Sequence, residues 1–406
     1  MSSPTEPFHI RKYLIIILIY ILSIGSFSCK NREKYKKDTP NKSNISVFDL
    51  NLNRYIEREF KLSETCDSTE YVVLETSESN YIGRIKVIKI SSNYIILTDD
   101  ITRKVHVFNR AGEYLFEMGK QGKGPGEYIQ VDDLLIDEDN HCVLLKSGKG
   151  VLKYSLDNQY LEYVKFEVFP RFITANENGF VSIILGPSTI AYKGYTFNFL
   201  DENGKLVGQK VRHDLTDFTG EEPIAFKSLY NTSDTLCLWE AYFDTIYGLT
   251  NEGQIIPRWT FNYGQHQITK QDLRNLLSPD RSREPYFCMR SFYETPKHIF
   301  VQAHNLGRPA NLLLDKENNE YIIPVSENEY GAGQIINDLD KIINYWPSFY
   351  PASNTTLMEI EPVFFKKAFG QSEQNPIKRR ISHKYSQQIQ SLNQFSNPVL
   401  CIINHK

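Results

Sequence analysis

The amino-acid sequence predicts an all-β fold in which repeated units of short strands close into a ring. Three observations lead to this prediction: an aromatic-rich composition, a strand-and-turn unit that recurs along the chain, and leftover strands near both ends. The 406 residues include 25 Tyr and 24 Phe, and aromatic side chains suit the half-buried surface of a pleated sheet. With 41% hydrophobic and 23% charged residues, the composition excludes a largely disordered chain.

The recurring unit consists of an apolar strand, a polar turn, an alternating strand, a tight turn and a further strand. Five copies are legible, at residues 94–118, 141–166, 179–209, 234–259 and 298–322. Each contains a turn residue that tolerates a positive φ, namely Gly112, Asn158, Gly204, Gly253 and Asn318. These residues are spaced by 46, 46, 49 and 65 positions. A period of about 40–50 residues with several strands in each unit is typical of β-propeller blades.

The two ends of the chain predict a sixth blade. The strand-like segment Glu70–Glu75 lacks a full unit around it, and Asn397–Asn404 reads as a final strand. Strands from both ends in one blade would close the ring, whereas five independent hairpins would leave many exposed edges. The sequence therefore predicts a six-bladed β-propeller over residues 46–406.

The last blade is predicted to contain a helical insertion. Glu361–Phe369 and roughly Pro376–Phe395 read as helices, because the second segment has apolar residues at steps of four, four and three. That apolar face consists of Ile381, Tyr385, Ile389 and Leu392. We expect it to pack across the last blade; a partner-binding helix is the alternative.

The N-terminus is typical of a bacterial lipoprotein signal peptide. Arg11 and Lys12 precede the apolar run Tyr13–Leu22, which is shorter than the roughly 20 residues of a membrane span. Cys29 follows small residues and is the expected lipid-attachment site, so residues 1–28 are the predicted signal peptide. An uncleaved anchor and plain secretion are the alternatives.

Residues 29–45 are polar and without periodicity, and they are predicted to form a flexible tether between the lipid and the folded domain. We therefore expect a protein of the Gram-negative cell envelope, anchored to a membrane through its lipid. The net charge of −3 gives no basic field for nucleic acid. The six cysteines form no C-x-x-C pair, so neither a disulfide framework nor a structural zinc site is predicted.

Several short motifs resemble a known family. They are Val105–Leu115, the glycine-rich stretch Gly119–Tyr128, Asp132–Asp137, Asn337–Asp340 with Trp346-Pro347, and the closing Asn397–Leu400. This set looks like the six-bladed β-propeller lipoproteins of Bacteroides-type bacteria, which are similar to NHL-repeat propellers. The resemblance implies a propeller and an envelope location, and it implies no particular reaction. Gly122–Gly126 lacks the pattern of a phosphate-binding loop and is interpreted as a turn between blades.

Candidate ligand-binding residues are two adjacent aspartates after a strand and three arginines in loop-like positions of separate blades. They are Asp99, Asp100, Arg103, Arg171 and Arg308. Converging arginines would bind an anion or carboxylate, because a guanidinium offers forked donors; surface ion pairing is the alternative. The two aspartates fall short of the 6–8 oxygen ligands that Ca²⁺ takes, and the alternative is that they begin the turn ahead of Arg103.

No catalytic residue and no resident metal or cofactor is predicted, because the chain contains neither G-x-S-x-G nor H-E-x-x-H. The leading hypothesis is a binding or scaffold module for a protein, peptide or glycan of the envelope. The alternative is a metal-dependent propeller enzyme, such as a lactonase, lyase or sugar dehydrogenase. Only that alternative calls for a channel-bound cation such as Ca²⁺.

Overall fold

The structure is a computed structural model, and the part of the chain that it describes is spread over the whole predicted propeller. The described residues are 46–49, 55–169, 172–176, 179–183, 195–211, 227–232, 235–240, 245–250, 253–262, 288–305, 308–327, 332–352, 354–371 and 387–406. The predicted signal peptide (1–28) and tether (29–45) lie outside them. Among the described residues, no helix has the length and apolar character needed to cross a bilayer.

Three N-terminal strands precede the first complete blade: β1 (Ser46–Asp49), β2 (Ile56–Arg58) and β3 (Glu70–Val73). A 3₁₀ turn, Leu62–Glu64, lies between β2 and β3. Blade 1 comprises β4 (Ile85–Ile90), β5 (Tyr94–Asp99), β6 (Val105–Asn109) and β7 (Tyr114–Glu117). The connection to blade 2 contains β8 (Lys120–Gln121) and β9 (Glu127–Tyr128). Blade 2 comprises β10 (Asp133–Asp137), β11 (Cys142–Ser147), β12 (Gly150–Ser155) and β13 (Tyr160–Lys165).

The remaining blades follow in chain order. Blade 3 comprises β14 (Phe172–Asn176), β15 (Gly179–Ile183), β16 (Tyr195–Leu200) and β17 (Leu206–Val211). Blade 4 comprises β18 (Lys227–Asn231), β19 (Thr235–Glu240), β20 (Thr245–Thr250) and β21 (Ile255–Asn262). Blade 5 comprises β22 (Cys288–Glu294), β23 (His298–Asn305), β24 (Arg308–Asp315) and β25 (Glu320–Pro324). The short pair β26 (Ser326–Glu327) and β27 (Gly333–Gln334) follows. Blade 6 contains β28 (Phe349–Ala352), β29 (Thr355–Ile360) and, after helix α1 (Pro362–Gln371), β30 (Val399–Asn404).

The fold is the predicted six-bladed propeller, and its N-terminal segment runs along the outer edges of three blades. β1 pairs in parallel with β21 of blade 4, and β2 pairs in parallel with β25 of blade 5. β3 pairs antiparallel with β30 and becomes the outermost strand of blade 6, in the order β28-β29-β30-β3. The predicted closure of the ring by strands from both ends of the chain is therefore confirmed.

Each seam between neighbouring blades is filled by its own hydrophobic cluster in the described part of the chain. The seam between blades 4 and 5 is strongly aromatic: Phe48 of β1 makes edge-to-face contacts with Phe261, Phe292 and Tyr321. A four-stranded sheet buries both of its faces only when a blade lies on either side. The ring must consequently be complete for any blade to be fully covered.

A recurring polar contact, which we call the inter-blade latch, accompanies these clusters. It holds the turn between the third and fourth strands of one blade against the end of the preceding blade's outer strand. Gly112, in the β6–β7 turn of blade 1, has φ 88°, and a Cβ there would lie 2.3 Å from the carbonyl oxygen of Val73 in β3. Its carbonyl accepts a hydrogen bond from Glu75 N–H (2.8 Å), and the Glu75 carboxylate accepts one from Tyr114 N–H (2.8 Å).

The same latch recurs between blades 2 and 3. Gly204 has φ 78° and leaves only 2.4 Å between a Cβ position and the carbonyl oxygen of Lys165. Glu167 N–H donates to the Gly204 carbonyl (3.0 Å), and the Glu167 carboxylate accepts from Leu206 N–H (2.8 Å). Between blades 1 and 2, the Asn158 amide takes this role by bonding Gly119 N–H and the Glu117 carbonyl.

The predicted turn residues are confirmed in four units and displaced by one residue in the fifth. Gly112, Asn158, Gly204 and Gly253 have positive φ, whereas in the last unit the positive φ falls on Asn319 rather than Asn318. The reason is that the turn of the last unit is one residue longer. Asp315 pairs with Glu320, five positions on, whereas Asn109 N–H donates to the carbonyl of Glu113, four positions on.

The helical insertion in the last blade is also confirmed. Helix α1 lies between β29 and β30, and residues 387–391 are helical as well. Phe365, Phe369, Ile389 and Leu392 are buried together against blades 5 and 6, so the predicted apolar face packs onto the last blade. Two residues of that face, Ile381 and Tyr385, lie outside the described residues.

Candidate functional site

The innermost strands of the six blades enclose a cavity on the axis of the ring. Innermost strands of neighbouring blades lie side by side, as β4 does with β10 and with β28. The cavity has a volume of about 380 Å³, and residues of β4, β10, β14, β18, β22 and β28 all line it. Ligand cavities in proteins span roughly 300–1,000 Å³. The channel is therefore large enough for a small molecule or for one end of a longer one.

One wall of the cavity carries its charged groups. Among the described residues that line it, the charged ones are Lys86 and Lys89 of β4 and Asp133 of β10. Lys86 is paired with Asp132, at 3.0 Å between Nζ and Oδ1. Lys89 is half-buried, and in the described part of the chain it forms no ion pair. Asp133 acts on Lys89 electrostatically but, among the described residues, forms no ion-pair contact with it.

Asp133 is occupied by the backbone. Its two oxygens accept hydrogen bonds from Leu134 N–H (2.9 Å) and Ile173 N–H (3.2 Å), so the carboxylate joins the innermost strands of blades 2 and 3. Burial raises the pKa of Asp133 above its usual range, although the charge of Lys89 and these hydrogen bonds act in the opposite direction. The role of Asp133 is consequently to hold the channel wall together.

Beside the cavity, Lys146 is almost completely buried. Its side chain is 1% exposed and lies 2.7 Å from Oδ2 of Asp132. Its Nζ also lies over the ring of Phe169, 5.1 Å from the centroid. Burial opposes ionisation of Asp132, but the hydrogen bonds from Lys146 and Lys86 outweigh it and hold its pKa below the usual range. Asp132 thus compensates two lysines at one end of the channel.

Blades 4, 5 and 6 supply an aromatic wall, formed by Tyr230, Tyr293, Phe349 and Tyr350. Because the blades follow one another around the ring, blades 4 and 5 lie across the channel from blades 1 and 2. The rings of Tyr293 and Tyr350 are stacked, with centroids 6.4 Å apart and planes 6° from parallel. Burial raises the pKa of both phenols to about 12, so this wall is uncharged at neutral pH.

The tyrosine hydroxyls of this wall already have structural partners. Tyr293 donates to the Ser348 carbonyl (2.7 Å), and Tyr350 accepts from Asn354 N–H (3.0 Å). Tyr230 donates to Glu294 (3.1 Å), a carboxylate that also binds Arg258, Trp259 and Lys316. What the tyrosines offer to the cavity is therefore mainly apolar ring surface.

The predicted ligand residues Asp99 and Asp100 lie away from this cavity. Asp99 is 2% exposed, and it accepts bonds from the backbone N–H groups of Gly83, Arg84 and Ile101 and from the Thr102 hydroxyl. Burial opposes its ionisation, but these bonds prevail and lower its pKa. Asp100 forms an ion pair with Arg84. In the structure both aspartates organise the turn after β5.

The predicted arginines are placed as follows. Arg103 is exposed in the turn between β5 and β6, with φ 59°. Arg308 is the first residue of β24. Arg171 lies outside the described residues. Asp99, Asp100 and Arg103 are the predicted ligand residues whose side chains the structure describes, and none of these three lines the channel.

Lys86 and Lys89 line the channel, and neither was among the ligand-binding residues predicted from the sequence. Lys86 and Lys89 belong to the segment Ile85–Ile90, which reads as an ordinary strand with two lysines. Two lysines that are three positions apart would point to opposite faces of a regular strand. In β4, however, the pairing register with β5 shifts between Ile85 and Val87, so the alternation of faces is interrupted. The feature of the sequence that could have identified them is a pair of lysines in an otherwise apolar strand-like segment.

The described residues provide no metal centre. Among them, no three His, Cys, Asp or Glu side chains lie close enough together to hold a metal ion. Asp133, the one carboxylate among the described residues that line the cavity, is engaged by backbone N–H groups.

Comparison with known proteins shows the family. The chain belongs to the family described as Domain of unknown function (DUF4934), which matches residues 45–404. A crystal structure of a Bacteroides fragilis protein assigned as exported is similar, with TM-score 0.64 and 15% identity over 89% of this chain and 100% of that one.

Two further solved structures are more distant. A DUF4221-family protein of Bacteroides vulgatus has TM-score 0.42 and 10% identity over 63% of this chain and 84% of that one. Virginiamycin B lyase of Staphylococcus aureus has TM-score 0.40 and 10% identity over 83% of this chain and 99% of that one. At such identities only the fold is compared. No curated protein matches the chain.

We expect Asp132→Asn to destabilise the protein at pH 7 by about 1–3 kcal/mol, because it leaves the buried Lys146 without its counter-charge. Since the pKa of Asp132 is lowered in the folded state, its contribution is present above the unfolded value of about 3.9 and is lost as the pH falls through the folded value. Urea unfolding of wild type and variant between pH 7 and pH 3 should show the difference shrinking in acid.

Asp139→Asn, an exposed aspartate in the β10–β11 turn, is the matched control and should change stability by less than about 0.5 kcal/mol. An equal effect of both substitutions, or a difference that persists in acid, would contradict the assigned role of Asp132.

Proposed function

We propose that the protein is a lipid-anchored module of the cell envelope that binds a protein, a peptide or a glycan through the channel of its propeller. The observation that carries the proposal is the cavity itself, which all six blades build and which has a basic wall and an aromatic wall. Sites that combine apolar surface with a few oriented polar groups are the usual form of ligand pockets. Among the described residues, no three His, Cys, Asp or Glu side chains lie close enough together to hold a metal ion.

The envelope location rests on the N-terminal sequence. A basic start, a short apolar run and Cys29 after small residues together favour lipid attachment after cleavage. The similar Bacteroides fragilis protein is assigned as exported, which is in keeping with this location. Anchoring would keep the binding module at a membrane surface, where its ligand is encountered.

Cys29→Ala should release the protein from the membrane fraction, because the thiol that carries the lipid is removed. Fractionation of cells fed a radiolabelled fatty acid measures both location and lipid. Cys66→Ala, at a buried cysteine of the propeller, should remain labelled and membrane-bound. Continued labelling of Cys29→Ala would refute the lipoprotein proposal.

Filling the channel should abolish binding. We expect the full chain in mild detergent to bind members of a glycan or peptide array, and Ile90→Trp, which adds bulk to a residue lining the cavity, to weaken that binding at least tenfold. Val207→Trp is the control, since Val207 is 64% exposed on the outer strand β17. Melting curves of both variants verify that they are folded.

Retention of the same array ligands by folded Ile90→Trp would place binding outside the channel and contradict the proposal. Chemical conversion of a bound ligand would show that the protein is an enzyme and would contradict its proposed role as a binding module.

A further inference from the structure

The channel offers a specific charge to its ligand. Lys89 faces the cavity half-buried, and in the described part of the chain no acidic group pairs with it. Asp133 interacts with Lys89 electrostatically, but its two oxygens accept hydrogen bonds from backbone N–H groups. Lys86 is paired with Asp132. A partly desolvated ammonium gains most from a partner that is itself charged and accepts hydrogen bonds. An anionic group of the ligand would supply that partner.

The part of the lining that blades 5 and 6 supply offers ring surface. Tyr350 stacks on Tyr293, and Phe349 adds a further ring to the lining. Because the phenol hydroxyls bond to protein groups, the ligand meets ring faces and edges. Aromatic faces are electron-rich and attract the C–H edges of another ring. This wall therefore suits the flat or C–H-rich face of a ring.

The size of the cavity restricts the ligand further. About 380 Å³ accommodates one small ring compound or the terminal unit of a polymer, and it excludes a folded protein segment such as a helix of about 10 Å diameter. A bare inorganic anion would use Lys89 and leave the aromatic wall empty. A neutral ring would use the wall and leave Lys89 without a partner.

We infer that the channel binds a six-membered ring carrying a carboxylate, with the carboxylate at Lys89 and the ring against Tyr350 and Phe349. This inference rests on the proposed function and names the ligand class of the same site. Two sources share this chemistry: a uronic acid unit of an acidic glycan, and an aromatic carboxylate.

The test is calorimetric titration of the full chain in detergent at low salt with sodium glucuronate, sodium benzoate and glucose. At least one carboxylate should bind ten or more times tighter than glucose, and whichever of the two is tighter identifies the source. Lys89→Met should weaken that carboxylate at least tenfold, whereas Lys89→Arg should retain most of the affinity. Lys123→Met, at an exposed lysine of the glycine-rich loop, should leave it unchanged.

Equal affinity for glucuronate, benzoate and glucose in the wild type would overturn the inference without any variant, as would absence of binding by both carboxylates. An unchanged affinity in folded Lys89→Met would overturn the role of Lys89. If neither carboxylate binds in the titration but Ile90→Trp abolishes binding to the array, the ring carboxylate is rejected as the ligand class and the channel remains the binding site. Failure of both experiments would reject the proposed function itself.

Discussion

Closure of the ring by β3 is the constraint on which the rest of the structure depends. β3 pairs with β30 as the outer strand of blade 6, and the carbonyl of Val73 at its end meets Gly112 of blade 1. The strand therefore completes one sheet and supplies one side of the latch to the next. Without it the seam between blades 6 and 1 would lose both its sheet edge and its latch, and the apolar faces of two blades would be exposed.

A closed ring also explains why the channel can have unlike walls. Every blade contributes the same backbone frame, so the latches and seam clusters do not require the innermost side chains to be alike. Blade 1 places Lys86 and Lys89 in the channel, whereas blades 4, 5 and 6 place tyrosine and phenylalanine rings there. Asp132 stabilises the basic side, because it balances the charges of the buried Lys146 of blade 2 and of Lys86 of blade 1.

The sequence was sufficient for the architecture because its signals are local. Turn residues with positive φ, such as Gly112 and Gly204, mark the third and fourth strands of a blade, and the leftover segments at both ends mark the closing blade. The parallel pairing of β1 with β21 joins residues more than 200 positions apart, and no local pattern reports it. The candidate site was harder to predict from the sequence than the fold. A carboxylate at the end of a strand, such as Asp99, looks available to a ligand in the sequence, but in the fold it accepts hydrogen bonds from backbone N–H groups. Lys89 is the reverse case, since only the arrangement of six innermost strands shows that it faces a cavity.

Native-state hydrogen exchange of the intact chain tests the closed ring most directly. If β3 is an integral strand, its backbone amides should exchange only through global unfolding, with the same free energy of opening as those of β29 and β4. Exchange of the β3 amides by local opening, at a free energy well below that of β29, would show a detachable strap and contradict the account.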